Sequence, residues 1–299
     1  MNRLCPALAL SMLLAGIAHA GTPINQTRSV AADARIDVSN VKGSVTVAAW
    51  DRQEVAITGT LGDGVKELLV EGSEHHLVIK VEPPKSGSWF SWGADSRMGP
   101  TILDIKAPRG AEMNIEVVSA DVTVAGIAGR SLDVDSVSGN VRLDSDAKEV
   151  DIDSVSGDVD LRGTSSRAHL ETVSGNLRVH GLGGEISMET VSGDIDAEDL
   201  AWSGVEAGSV SGDINLRGRP ASGARLEVET MSGDVRIEVP AELSARVELS
   251  TFSGGIRSDF GSVEEPEHGP GSSLEATIGN GDGTIRAETF SGDIQLRRR

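Results

Sequence analysis

The chain of 299 residues carries 46 acidic against 27 basic side chains, a net charge of −19, and this excess opposes contact with a nucleic-acid backbone. Tyrosine is absent, phenylalanine and tryptophan number 4 each, and glycine reaches 36, which argues against a core centred on aromatic rings. The composition suits a repetitive fold of Val, Ile and Leu with many glycine corners.

Residues 1–20 read as a cleavable leader. Arg3 supplies the positive start, Ala7 to Ile17 an apolar run, and Ala18-His19-Ala20 the small-x-small pattern before Gly21, the expected first residue of the exported chain. That run is too short to cross a bilayer, and no later stretch is long enough. The lone cysteine, Cys5, precedes the apolar run and is not placed as a lipidated residue. The exported chain is thus expected to lack disulfides, a thiolate metal site and a Cys nucleophile. Its expected location is periplasmic or extracellular.

Next comes a strand-rich region without strict periodicity, in which "SVTVAAWDRQEVAITGTL", "ELLVEG", "HLVIKVE" and "TILDIKAP" read as strands between polar turns. Residues 21–110 are expected to form an N-terminal cap on the repetitive part of the chain. His75-His76 is a weak metal pair, because adjacent strand residues face opposite ways. A loop from Pro83 to Pro100 holds the aromatic cluster Trp89, Phe90 and Trp92. Those rings either cover the open end of the fold or meet a glycan, a membrane surface or a protein partner.

From residue 111 to 299 one phrase recurs. "DSVSGNVRL", Asp135 to Leu143, returns as "DSVSGDVDL", Asp153 to Leu161, and the glycines of the series are Gly139, Gly157, Gly175, Gly193, Gly212, Gly233, Gly254 and Gly292. Spacing begins at eighteen residues and stretches to nineteen and twenty-one. Ala120 and Gly43 mark degenerate copies. Apolar residues stand two and four positions after the glycine and five before it, as in Val134, Val141 and Leu143, and Val137 is read as packing too. Each repeat is therefore two short strands around a glycine corner, and only stacking can bury its apolar face. The expected fold is all-β: a β-solenoid of roughly 18–21-residue turns with an N-terminal strand-rich cap, cap and solenoid forming one domain. About ten turns at about 4.8 Å give a rod on the order of 45 Å long. The segment Asp259 to Ser273 is expected to bulge from one turn, and "GNGDGT", Gly279 to Thr284, reads as a tight turn with a faint calcium-loop flavour.

Three columns bear on chemistry. Four residues before the glycine stand Asp135, Asp153, Glu171 and Glu189, a carboxylate ladder that is either a solvated face or a weak candidate for a cation such as Ca²⁺. Three before it stand hydroxyls, among them Ser136, Ser154, Thr172 and Thr190, which are expected to bond to turn backbone or to each other. Many equivalent serines argue against one privileged nucleophile, and His169 and His180 form no evident triad. Three after the glycine, Arg142, Asp160, Arg178 and Asp196 alternate in sign, which stacks Arg178 between two acids. Arg297-Arg298-Arg299 is read as a solvated end.

The recurrent "VSGDV.L" turns, preceded by "GSVTVAAWDRQEVAITGTLG", resemble the bacterial cell-envelope family labelled "putative adhesin", of unknown function and related to the toast-rack domains. The resemblance spans about Arg35 to Leu296. It implies an exported β-solenoid in or near the envelope with no established catalytic residues, and no cofactor or firm metal site is expected from the residues. The expected role is a non-enzymatic binding, adhesion or structural scaffold whose partner is an envelope protein or a glycan. The alternatives are a β-helix enzyme acting on polysaccharide and a calcium-stabilised adhesin.

Overall fold

The computed structural model describes residues 21–84, 98–264 and 270–299, and all regular structure among them is strand. The regular repeats show why. Strand Ser131–Ser138 leads to a glycine corner and strand Val141–Ser145, and the next turns repeat this as Glu149–Ser156 with Val159–Gly163 and Arg167–Ser174 with Leu177–His180. Successive turns pair in parallel with an offset equal to the repeat. Ile152 therefore lies opposite Val134 on one side and Leu170 on the other, and Val159 lies between Val141 and Leu177. Like residues fall into columns, and Val134, Ile152, Leu170, Val141, Val159 and Leu177 are all fully buried. Each such side chain contributes roughly 1.5–3 kcal/mol.

At the corner, consecutive turns meet backbone to backbone. Gly157 has φ 131°, and a Cβ there would collide with the carbonyl oxygen of Gly139. The residue after each glycine ties the stack together. The Asn140 N–H donates to Asp121 Oδ1 (2.9 Å), Asp158 N–H to Asn140 Oδ1 (3.2 Å), Asn176 N–H to Asp158 Oδ1 (3.0 Å) and Asp194 N–H to Asn176 Oδ1 (2.9 Å). The repeated Asp or Asn is thus a backbone acceptor for the next turn. Asp158 also receives Arg178 at 3.0 Å. Register does set Arg178 between Asp160 and Asp196, but its ion pair is with the diagonal Asp158.

The Asn176 backbone N–H, followed by Arg178, holds the Asp158 carboxyl below its ordinary value. Asp158→Ala is expected to lose about 1–2 kcal/mol in chemical denaturation at pH 7, whereas Asp158→Asn keeps the acceptor and stays within about 0.5 kcal/mol. A depressed folded-state pKa means stability present above the unfolded carboxylate value, about 3.9, and lost as pH falls through the folded one. The wild-type advantage over Asp158→Ala should therefore shrink in acid.

The column three before the glycine and the column two before it exchange the sides their polarity suggests. Ser136, Ser154, Thr172 and Thr190 are buried, while Val137 is 49% exposed and Val155, Val173 and Val191 are similarly open. This corrects the assignment of Val137 to the core. Inward residues three before and two after the glycine are five apart, an odd number, so the corner shifts the in–out phase by one. The phase of the first strand places the hydroxyl inside.

Those hydroxyls differ in partners. Thr251 Oγ1 donates to the Gly292 carbonyl (3.0 Å) and Thr289 Oγ1 to the Gly233 carbonyl (3.3 Å), as expected of a corner hydroxyl. Ser136, Ser154, Thr172, Thr190, Ser209 and Thr230 have buried hydroxyls with no hydrogen-bond partner. Thr172→Val, which swaps an unpaired hydroxyl for a methyl, is expected to be neutral or stabilising by up to about 1 kcal/mol. Thr251→Val should instead lose about 1 kcal/mol, and urea melts of the two variants compare them directly.

Both ends depart from simple stacking. At the N-terminal side, strand Arg35–Trp50 pairs in parallel with Glu112–Ile127 and carries His76–Glu82 and Thr101–Pro108 on its other edge. Antiparallel strands then cover these: Glu67–Gly72 lies on His76–Glu82, and Glu54–Leu61 followed by Thr22–Ser29 lies on Thr101–Pro108.

At the C-terminal side the last copy of the repeat is not the last turn. Strand Gly283–Ser291 inserts between Ile214–Ser232 and Ala245–Ser253, and Ile294–Arg298 inserts between Val235–Val239 and Ile256–Ser258. The acceptor ladder follows the spatial order: Asp293 N–H donates to Asp234 Oδ1 (2.8 Å), and Gly255 N–H to Asp293 Oδ1 (2.9 Å). Gly255, with no side chain to offer, occupies the final parallel turn. The segment after it leads to Ser272–Ile278, which covers Ala245–Ser253 in antiparallel register. The terminal arginines are tied down: Arg297 pairs with Asp259, Arg299 with Asp199, and Arg298 lies 5.1 Å from the Phe260 ring centre.

Candidate binding groove

The exposed columns run side by side along the strands that precede the corners. One wall is acidic. Glu116, Asp135, Asp153, Glu171 and Glu189 face one another in register, Gly208 interrupts them, and Glu229, Glu288 and Ser250 continue the line. The predicted ladder Asp135, Asp153, Glu171 and Glu189 is its central part.

The other wall is apolar. It runs from Val118 through Val137, Val155, Val173, Val191 and Val210 to Met231, Phe290 and Phe252, with exposures from 36% at Val118 to 61% at Met231. The Phe252 and Phe290 rings stack at 4.8 Å between centres, 9° from parallel, so the wall advances by one ring per turn. Between the walls lie two stretches of groove, about 850 Å³ and about 580 Å³, which share Glu171. The inward Ser/Thr column forms the floor, since each strand bends around that buried residue with its acid on one side and its apolar residue on the other.

Like charges leave a mark on the acidic wall. Burial first, then Asp153 and Glu116, hold the Asp135 carboxyl above its ordinary value, and burial and Asp151 do the same to Asp133. A raised folded-state pKa means that the ionised form opposes folding at neutral pH, an effect that fades as pH falls through that raised value. Asp135→Asn is expected to gain a few tenths of a kcal/mol at pH 7 and nothing below about pH 3.5, measured by thermal melts at low salt.

Among the described residues one group of metal-ligating type comes together: Asp151, Asp153 and His169 bring their donor atoms within 4.8 Å of one another. Only Asp153 of the predicted ladder belongs to it. The signal for the others was the column six before the glycine, which shares the outward parity of the ladder and sets His169 opposite Asp151. His180 instead meets Asp199 at 3.2 Å, and His76 meets Asp37 at 2.6 Å. In the "GNGDGT" turn, Gly281 N–H donates to the Ile278 carbonyl, and Asp282 accepts from Ser244 Oγ at 2.9 Å. Trp89, Phe90 and Trp92 lie outside the described residues.

Solved structures align with this chain over nearly its whole length at low similarity. A "putative adhesin" from Bacteroides fragilis matches at 12% identity and TM-score 0.40, over 92% of this chain and 97% of that one. A "putative adhesin" from Parabacteroides merdae matches at 10% identity and TM-score 0.37, over 93% and 97%. A "putative lipid binding protein" from Parabacteroides distasonis matches at 13% identity and TM-score 0.35, over 93% and 98%. These similarities are too distant to transfer a role. No curated protein matches the sequence. The repeat itself is what is recognised: the model of one domain family fits the chain twice, over residues 103–217 and again over 183–297, and the chain belongs to that family, Toastrack DUF4097.

Proposed function

We propose that this chain is an exported, non-enzymatic scaffold of the bacterial cell envelope that binds a partner along one face of its solenoid. The observation that carries the reading is the apolar wall: a row of exposed Val, Met and Phe side chains in register over many turns. Scattered exposed hydrophobics are ordinary, whereas a contiguous stripe of this length marks a contact surface. The leader at residues 1–20 supports passage to the periplasm or beyond. The even spacing of the carboxylates supports binding over catalysis, because glycoside cleavage needs two carboxyls set apart by environment at one place.

Retention of the purified protein by an envelope fraction tests this. Wild type is expected to be retained, and the combined variant Val191→Thr, Met231→Thr, Phe290→Thr is expected to be lost while melting like wild type. Depolymerisation of an envelope or plant polysaccharide by the wild-type protein would refute the non-enzymatic part. A cation-stabilised form of the same scaffold has one observation in its favour, the Asp151–Asp153–His169 group. It requires a rise in melting temperature with calcium or zinc that Asp153→Asn abolishes.

A further inference from the structure

The two walls of the groove differ in chemistry, and the difference specifies an occupant. Elsewhere on the surface some acids have basic partners, as Asp37 with Arg35, Glu238 with Arg217 and Arg236, Glu227 with Arg225 and Asp293 with Arg257, and others, such as Asp104, Asp196 and Glu206, stand singly without one among the described residues. On the acidic wall, Glu116, Asp135, Asp153, Glu171, Glu189 and Glu229 make no ion pair among the described residues, and Glu288 alone has one, with Arg286. A row of uncompensated carboxylates beside a row of exposed apolar side chains is complementary to a ligand with cations on one flank and an apolar stripe beside them.

Length and spacing narrow the class. The apolar wall advances by 4.8 Å at the Phe290–Phe252 step. At that spacing the run from Val118 to Phe252 is about 38 Å long, which an α-helix covers with about 25 residues. A helical pitch of about 5.4 Å drifts from the rungs by only about 0.6 Å per turn, so side chains at i, i+3/i+4 stay near the rungs over about two turns at a time, whereas alternate residues of a strand, about 6.8 Å apart, drift by about 2 Å at every step. A second copy does not fit, because it carries the same acidic excess and its described residues hold no helix. From these features, and resting on the binding-scaffold reading above, we propose that the groove binds a basic amphipathic α-helix of a partner protein. Its apolar stripe lies on the Val/Met/Phe wall and its Lys or Arg side chains face the carboxylates.

The test uses a fluorescent peptide of about 25 residues with Leu at i, i+3/i+4 and Lys on the flanks, followed by anisotropy at low and physiological salt. Two control peptides carry Glu in place of Lys, or the same composition scrambled. Wild type is expected to bind the first peptide and neither control. Glu171→Gln/Glu189→Gln/Glu229→Gln should weaken binding about tenfold or more and flatten its salt dependence. Val191→Thr/Met231→Thr/Phe290→Thr should weaken it about as much and leave the salt dependence in place. Unchanged melting of both variants shows that they fold. Equal binding of the scrambled peptide would reduce the effect to bulk charge and overturn the proposal. Binding of neutral phosphatidylcholine vesicles in preference to the peptide, lost with Phe252→Thr/Phe290→Thr, would overturn it in favour of a lipid. If no peptide binds but the apolar variant still loses envelope retention, the helix is wrong and the scaffold reading stands. If neither changes, both fall.

Discussion

Gly157→Ala is expected to destabilise the protein by about 3 kcal/mol or more, out of proportion to one added methyl. With φ at 131° an L-side chain is strained, and the Cβ would sit on the carbonyl of Gly139. The collision is with backbone, so no rotamer relieves it. The stack must open between these two turns, at the expense of the bonds from Gly139 N–H to Ser156 O (3.2 Å) and from Val141 N–H to Asp158 O (2.9 Å). Gly255→Ala is the control. A Cβ there meets nothing nearer than Asp293 Oδ1 at 3.7 Å, so a change within about 0.5 kcal/mol is expected. Urea denaturation followed by circular dichroism compares them. Equal losses at the two positions would show that close stacking at the corner is not what the glycine supplies.

Trp202→Ala is expected to lose about 3–5 kcal/mol. The residue is 1% exposed and lies in register between Gly184 and Pro220, in a turn with register shifts on both sides of the strand. Gly218 makes room for it, since a Cβ there would press on the indole Cζ3 at 2.6 Å. Removing the ring leaves a void that neighbouring turns, each held by parallel backbone bonds, cannot close. Trp202→Phe should lose much less, because it keeps most of the ring and removes an indole N–H that has no hydrogen-bond partner. A Phe variant as damaged as the Ala variant would show that the indole N–H is bonded after all.

The inward columns were legible because the repeat states each of them many times. Val134, Ile152 and Leu170 share one position relative to the glycine, and parallel stacking turns that shared position into contact. Val137 was not legible. An apolar residue two before the glycine reads as core until the phase shift at the corner is known, so the wall it forms could not be seen as a surface. The acidic ladder was legible as an outer column, but its lack of counter-ions is a property of where arginines reach. Trp202, the largest fully buried side chain among the described residues, stands outside the repeat phrase and had no periodic signal to find it.

The sequence by itself determined the strand content, the glycine corners and the length of the turn, because those depend on residue type and local spacing. Order in the stack was decided only by the tertiary structure. The corners at Gly233, Gly254 and Gly292 are near-equivalent phrases, and any of them can accept any other by backbone pairing. Which one ends the series depends on where an antiparallel strand and a side-chain-free Gly255 leave no further turn to bond. The groove has the same origin: its walls are residues four and two before each corner, and only stacking draws them into continuous lines of opposite chemistry.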